Sequence, residues 1–281
     1  MSNGSLSKYL VLLLGISLLV LWYAYLVAAF KDSINRERSK MLETSKNYSS
    51  PEPLRITLLP LPVQNWLKAS GALDVDTIHN VFIKQSIQMQ MDPNKPKWFD
   101  ATANQLITIS PPAFNWSVKV KTGILNGIVG RDRFENGKGE MVIKLGSVLP
   151  IATSKSNVKV DQASLQRFLA EIVWYPSAAL CSYVTWEPID DHSARATMTF
   201  QGTTGSGVFH FDQLGNFREF RSRRFKETGP DAQPVEWIVK SDKFEVRNGV
   251  KIPVKLTATW KLEPGDWTWL KMEVTKITYN Q

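Results

Sequence analysis

The stretch Val254-Lys255-Leu256-Thr257-Ala258-Thr259-Trp260-Lys261-Leu262 decides the class of fold. Its even positions are apolar and its odd positions are Lys or Thr. Side chains along a strand point alternately to opposite faces, so a period of two describes an antiparallel strand with one dry and one wet face. Working outward, the period recurs where Ala196, Met198 and Phe200 alternate with Arg195, Thr197, Thr199 and Gln201, and where Val118 and Val120 alternate with Lys119 and Lys121. Turn signals separate such runs: Glu135-Asn136-Gly137, Asp190-Asp191, Asp212-Gln213-Leu214-Gly215 and Arg247-Asn248-Gly249. From Thr77 onward the chain is expected to be mainly β, with about ten or eleven strands, too many for a flat open sheet. A strongly curved antiparallel sheet or half-barrel follows.

Two helices are expected beside the strands. Leu61 to Leu73 places Val63, Trp66, Leu67 and Leu73 at roughly helical spacing, with Pro60 and Pro62 at its start and Gly71 near its end. The second has Asp161 as its expected N-cap, and Leu165, Phe168, Leu169, Ile172 and Val173 form one stripe before Pro176 stops it. Burial of such side chains is worth roughly 1.5–3 kcal/mol each, so this central helix belongs to the core. A carboxylate at Leu169 should therefore be costly, whereas one at Gln166, off the stripe, should be tolerated.

At the N-terminus, Tyr9 to Phe30 carries no charge and is bracketed by Lys8 and Lys31. A helix of that length covers the roughly 30 Å hydrocarbon core of a bilayer. The expected organisation is thus a membrane anchor over 1–30, a charged connector and Pro-containing linker over 31–57, and a curved β-sheet domain over 58–281. The lipid bilayer is the partner expected for residues 9–30. Positive charges after the span favour a cytoplasmic domain on their own. The short N-terminal segment and long apolar run resemble the export anchors of secreted domains, and the extracytoplasmic side expected for the domain rests mostly on the family resemblance given below.

Composition narrows the function classes. The net charge of +8 is scattered at strand spacing, without the aromatic and basic motifs of an RNA-binding sheet or a basic recognition helix, so nucleic acid is not the expected partner. Cys181 is the only cysteine, which rules out an intramolecular disulfide and a multi-cysteine zinc site. The three histidines, His79, His192 and His210, share no metal-ligand spacing, and neither metal nor cofactor is expected. Gly202 to Gly207 lacks the Lys-Ser or Lys-Thr of a phosphate loop, and Gly205-Ser206-Gly207 is not a nucleophile elbow. No catalytic residue is nominated.

The chain carries ten tryptophans, nine of them outside the apolar N-terminal run. In a deeply curved sheet, rings of that size suit the lining of an apolar pocket. Candidate ligand-binding residues are Trp174, Trp186 and Trp260, the pair Arg167 and Glu171 one helical turn apart, and Arg221 and Arg223 from a dense basic run.

The segments Gly130-Arg131-Asp132-Arg133-Phe134, Gly137-Lys138-Gly139-Glu140-Met141, Leu165 to Glu171 with Trp174-Tyr175-Pro176, and Gly249 to Pro253 followed by Trp260 resemble a bacterial family, domain of unknown function 6544, over roughly residues 60 to 280. The resemblance implies a fold similar to the half-barrel of lipoprotein carriers (LolA/LolB-like), and it implies no activity or catalytic residue. The expected function is a membrane-anchored, non-catalytic module that binds an apolar or lipid-like ligand. The alternatives are a structural or partner-binding envelope protein, or an enzyme on a membrane-proximal substrate with Glu171 as acid or base and Arg167 holding its charge.

Overall fold

A computed structural model of the protein describes residues 3–48, 54–123 and 127–281. Pro51 and Pro53, on which the stiff linker was placed, lie outside the described residues. Two antiparallel meanders make up the domain. The first comprises β1 (Asn80–Asp92), β2 (Lys95–Thr108), β3 (Ala113–Val120), β4 (Ile128–Glu135), β5 (Lys138–Leu145) and β6 (Leu149–Lys155). The second comprises β7 (Val184–Asp190), β8 (Ser193–Phe200), β9 (Thr203–Phe211), β10 (Phe217–Phe225), β11 (Pro234–Arg247), β12 (Val250–Leu262) and β13 (Gly265–Tyr279). Pairing of β1 with β13 fuses them into one 13-stranded sheet in the order β6-β5-β4-β3-β2-β1-β13-β12-β11-β10-β9-β8-β7. The sheet curls into a half-barrel, with more strands than the ten or eleven read from the sequence.

Three of the tight turns carry the residues their geometry demands. Asn136-Gly137, Gln201-Gly202 and Asn248-Gly249 all have positive φ at both positions, the type I′ conformation whose twist matches the flanking strands. In the run Gly202 to Gly207, Gly202 closes a hairpin turn and Thr203 onward is the start of β9.

Helix α1 (Asn3–Lys46) comes first in the chain, followed by α2 (Leu61–Ser70) and α3 (Val158–Glu171). In α2, Val63, Trp66 and Leu67 are buried, and Trp66 stacks on Phe209 and Phe211. Gly71 ends the helix in the left-handed conformation. Leu73, assigned to the same stripe, is exposed instead, because the helix has already stopped.

Helix α3 links the two meanders and crosses the concave side, touching β4 and β5 on one flank and β8, β9 and β10 on the other. Its N-cap is Asn157, whose side chain accepts from the Lys159 amide at 2.8 Å, and not Asp161. Asp161 lies inside the first turn, buried, where it accepts from the Gly139 amide at 2.8 Å and pairs with Lys138 at 3.0 Å. Asn157 has the same capping chemistry one turn earlier, which frees Asp161 to tie the helix to β5. Close approach on both flanks requires glycine. A Cβ at Gly139 would lie 2.4 Å from Ser164 Oγ, and one at Gly205 would lie 2.7 Å from Gln166 Cγ.

Because strands enclose α3 from two sides, burial extends well beyond the expected stripe. Gln166 is also buried, and its Nε2 donates to the carbonyls of Ser206 at 3.1 Å and Arg223 at 3.0 Å. The expectation that a carboxylate is tolerated there fails, since it would meet two carbonyl oxygens and lose both bonds.

Helix α1 is long and apolar enough in its first part to cross a membrane. Its charged second part lies against the sheet. Arg38 donates to Asn115 Oδ1 at 3.0 Å, the Asn104 carbonyl at 2.8 Å and Ser117 Oγ at 2.9 Å, and Glu37 pairs with Arg131 at 2.9 Å. Met41 packs on Leu106 and Ala113. Residues 31–46 of the charged connector are thus the end of α1 and pack on the domain.

Candidate functional site

The concave face, α3 and the strand ends enclose a cavity of about 530 Å³. Its wall is built by the inward-facing half of each alternating strand. Trp237 on β11 lies opposite Trp260 on β12, and Trp260 lies opposite Trp267 on β13, so the register sets three indoles side by side across the face. Met89, Val239 and Met272 continue the apolar wall, and Ile143 and Ile151 supply it from β5 and β6.

One polar cluster stands in this wall. Arg167 of α3 bonds Asp132 of β4 at 2.6 Å and Glu171 one turn further along α3 at 2.8 Å, while its guanidinium carbon lies 4.9 Å from the Phe114 ring and 4.7 Å from the Trp116 ring. Burial alone would lower the guanidinium, but the two carboxylates outweigh it and hold Arg167 above its ordinary value. Glu171 also accepts from Gln105 Nε2 at 2.5 Å. Burial pushes the Glu171 carboxyl up, and an arginine shared with Asp132 only partly offsets that.

The rise has a consequence for stability. A carboxyl whose folded value lies above its unfolded value favours folding most below the unfolded value and loses that contribution as pH climbs through the folded one. Glu171→Gln cannot titrate. Its melting temperature, measured against the wild type, should shift in the variant's favour as pH rises from about 4 to 7, and a gap that stays constant would contradict the assignment.

Only some of the residues nominated from sequence reach the cavity. Arg167, Glu171, Trp174 and Trp260 line the cavity. Trp174 is largely structural there, since its Nε1 donates to the Pro253 carbonyl at 3.0 Å. Trp186 is elsewhere, in the aromatic cluster with Trp66 and Phe209, and its Nε1 donates to the Ala179 carbonyl at 3.0 Å. Arg221 and Arg223 are not on the cavity wall: Arg221 pairs with Glu219 and Glu236, and exposed Arg223 donates to the Pro234 carbonyl at 2.6 Å. On β10 the inward positions are Phe220, Ser222 and Arg224, so the basic residue that reaches the cavity is Arg224. The alternation of buried Phe220 with Arg221 carries that signal, but the run of basic residues conceals it. Asp132, Trp237 and Trp269 also line the cavity and were not nominated.

No group of three or more His, Cys, Asp or Glu side chains among the described residues is placed to hold a metal ion. Cys181 is a free thiol packed against the core, and burial raises it above its ordinary value.

The chain belongs to the family of unknown function DUF6920, whose model matches residues 57–279. The motifs quoted from the sequence point to domain of unknown function 6544, and the matching family corrects that number; short turn and helix motifs of this kind serve any curled sheet closed by a helix. Among solved structures, the chain is similar to a LolA superfamily protein from Nitrosomonas europaea, with 10% identity and a TM-score of 0.44 over 78% of this chain and 94% of that one. It is also similar to a DUF1329 family protein from Desulfovibrio piger, with 10% identity and a TM-score of 0.43 over 79% of this chain and 94% of that one. No curated protein matches the sequence.

Proposed function

We propose that this member of DUF6920 is a non-catalytic module, held at a membrane by the first part of α1, that takes an apolar or lipid-like molecule between its concave sheet and α3. The observation that carries the reading is the cavity. At about 530 Å³ it falls within the roughly 300–1,000 Å³ range of sites for one small ligand, and its wall is mostly indole, thioether and branched aliphatic surface. Folded chains ordinarily fill such space, and apolar matter placed there gains about 0.8 kcal/mol per buried methylene.

Contacts of α1 support the membrane part. The Tyr23 hydroxyl, within the uncharged run, donates to the Gly146 carbonyl at 3.0 Å, and Lys144 Nζ lies 4.1 Å from the centre of the Phe30 ring. The tip of the β5–β6 hairpin therefore adjoins the apolar helix, with exposed Leu149 and Ile151 on its edge strand. Ile151 also lines the cavity, which suits a ligand exchanged directly with a bilayer. Glu171 as a catalytic acid or base is less well supported, because both its oxygens are engaged, by Arg167 and Gln105.

Organic extraction of the protein purified from membranes, followed by mass spectrometry, tests the reading. One apolar species in near-stoichiometric amount is expected. Extracts without lipid, together with a crystal structure whose concave face is filled by side chains, would overturn it.

A further inference from the structure

Every cation on the cavity wall except Lys159 and Arg224 has a carboxylate partner among the described residues. Among the described residues, Arg131 pairs with Glu37 and Glu140, Arg167 with Asp132 and Glu171, and Lys226 with Glu227. Lys159 is held by the carbonyls of Gly229, Pro230 and Ala232 at 2.7–3.0 Å. Arg224 has no carboxylate in contact. Its Nε donates to the Ala163 carbonyl at 2.9 Å, and its guanidinium carbon lies 4.6 Å from the Trp237 ring and 5.6 Å from the Trp260 ring. The two terminal amino groups have no acceptor among the described residues. Asp132 and Glu171 are near enough to be felt electrostatically but are both bonded to Arg167. Burial lowers Arg224 to about 10, so the guanidinium stays charged at neutral pH.

Arg224 is half-buried, and a guanidinium set in a mostly apolar wall is ordinarily paired. The cavity therefore offers a planar guanidinium with free terminal N–H groups, suited to bidentate contact with an oxyacid.

We infer that the cavity takes an amphiphile with a single acidic headgroup, bound by Arg224, and with its chain laid along the wall of Met89, Val239 and Met272. This rests on the apolar-ligand reading above and adds the class of ligand. The headgroup chemistry is that of a carboxylate or a phosphate monoester, and the chain distinguishes a lipid from a free anion.

The test compares matched probes on the full chain in phosphatidylcholine nanodiscs: hexadecanoate and hexadecanol, each carrying a mid-chain diazirine, with the labelled residues mapped by mass spectrometry. The pH is set above the value of the acid and below that of Arg224. Hexadecanoate is expected to label the cavity strands about tenfold or more above hexadecanol, the advantage of a charge-assisted hydrogen bond. Arg224→Gln should reduce hexadecanoate to the level of the alcohol, and Arg224→Lys should retain part of the preference. Equal labelling of the wild type by acid and alcohol would overturn the headgroup inference while leaving the apolar-ligand reading intact, and it needs no variant. Displacement by acetate as effective as by unlabelled hexadecanoate would also overturn it, in favour of a small anion. Absence of cavity labelling by either probe would overturn both readings.

Discussion

Leu169→Asp is expected to remove several kcal/mol of stability, a large share of the roughly 5–15 kcal/mol available to a domain. Leu169 is fully buried on α3, in the same core as Phe134, Phe168 and Phe209. A carboxylate there finds no partner and must either take up a proton or pull the helix toward water. Because α3 lies across the concave side and touches both meanders, its displacement would unseat β4 and β5 together with β8 to β10. The control is Val158→Asp at the exposed first position of the helix, where an acidic side chain faces the favourable end of the helix dipole and stability should be nearly unchanged. Thermal melts of the full chain in a non-ionic detergent decide the matter. Equal midpoints for the two variants would mean that α3 does not hold the core together.

Arg167→Met is expected to cost about 3–5 kcal/mol, the usual result of removing one partner from a buried ionic cluster. Methionine replaces most of the packing on Phe114 and Trp116 but leaves Asp132 and Glu171 without the cation that bridges them. Protonation of Glu171 relieves part of that strain, so the loss should be smaller near pH 5 than near pH 7, by the raised-carboxyl logic above. Adding Asp132→Asn and Glu171→Gln to the same chain should restore most of the stability. Denaturant midpoints of the single and triple variants measure both effects, and a triple variant no better than the single one would show that the cost lies in packing and not in charge.

The curled antiparallel sheet was legible in the sequence because strands with one dry face carry their period openly, as Val254 to Leu262 do. The turns at Asn136-Gly137 and Asn248-Gly249 were legible for a related reason: positive φ selects the residue type, whatever the surroundings. Edge strand β6 was harder, since six of its seven residues are exposed and no contrast between faces remains to be read. Periodicity identifies the apolar stripe of α3, but the second layer of protein over Gln166 and Asp161 comes from strands distant in the chain. The site was readable only in part. Arg167 and Glu171 share a helix face and could be paired from spacing alone, whereas Asp132 reaches them from another strand. Five basic residues between Arg218 and Lys226 look alike in sequence, and only the inward turn of Arg224 onto Trp237 sets it apart.

The account stands or falls on whether the concave cavity is the place where an apolar molecule resides. The most direct measurement compares lipid recovered per mole of protein from the wild type and from Val239→Trp, which puts an indole into the cavity from β11 beside Ala258. With both proteins folded by their melting curves, a near-stoichiometric species recovered from the wild type and lost from the variant is the predicted result. Equal recovery from the two proteins would contradict it, because the bound molecule would then lie somewhere other than the cavity.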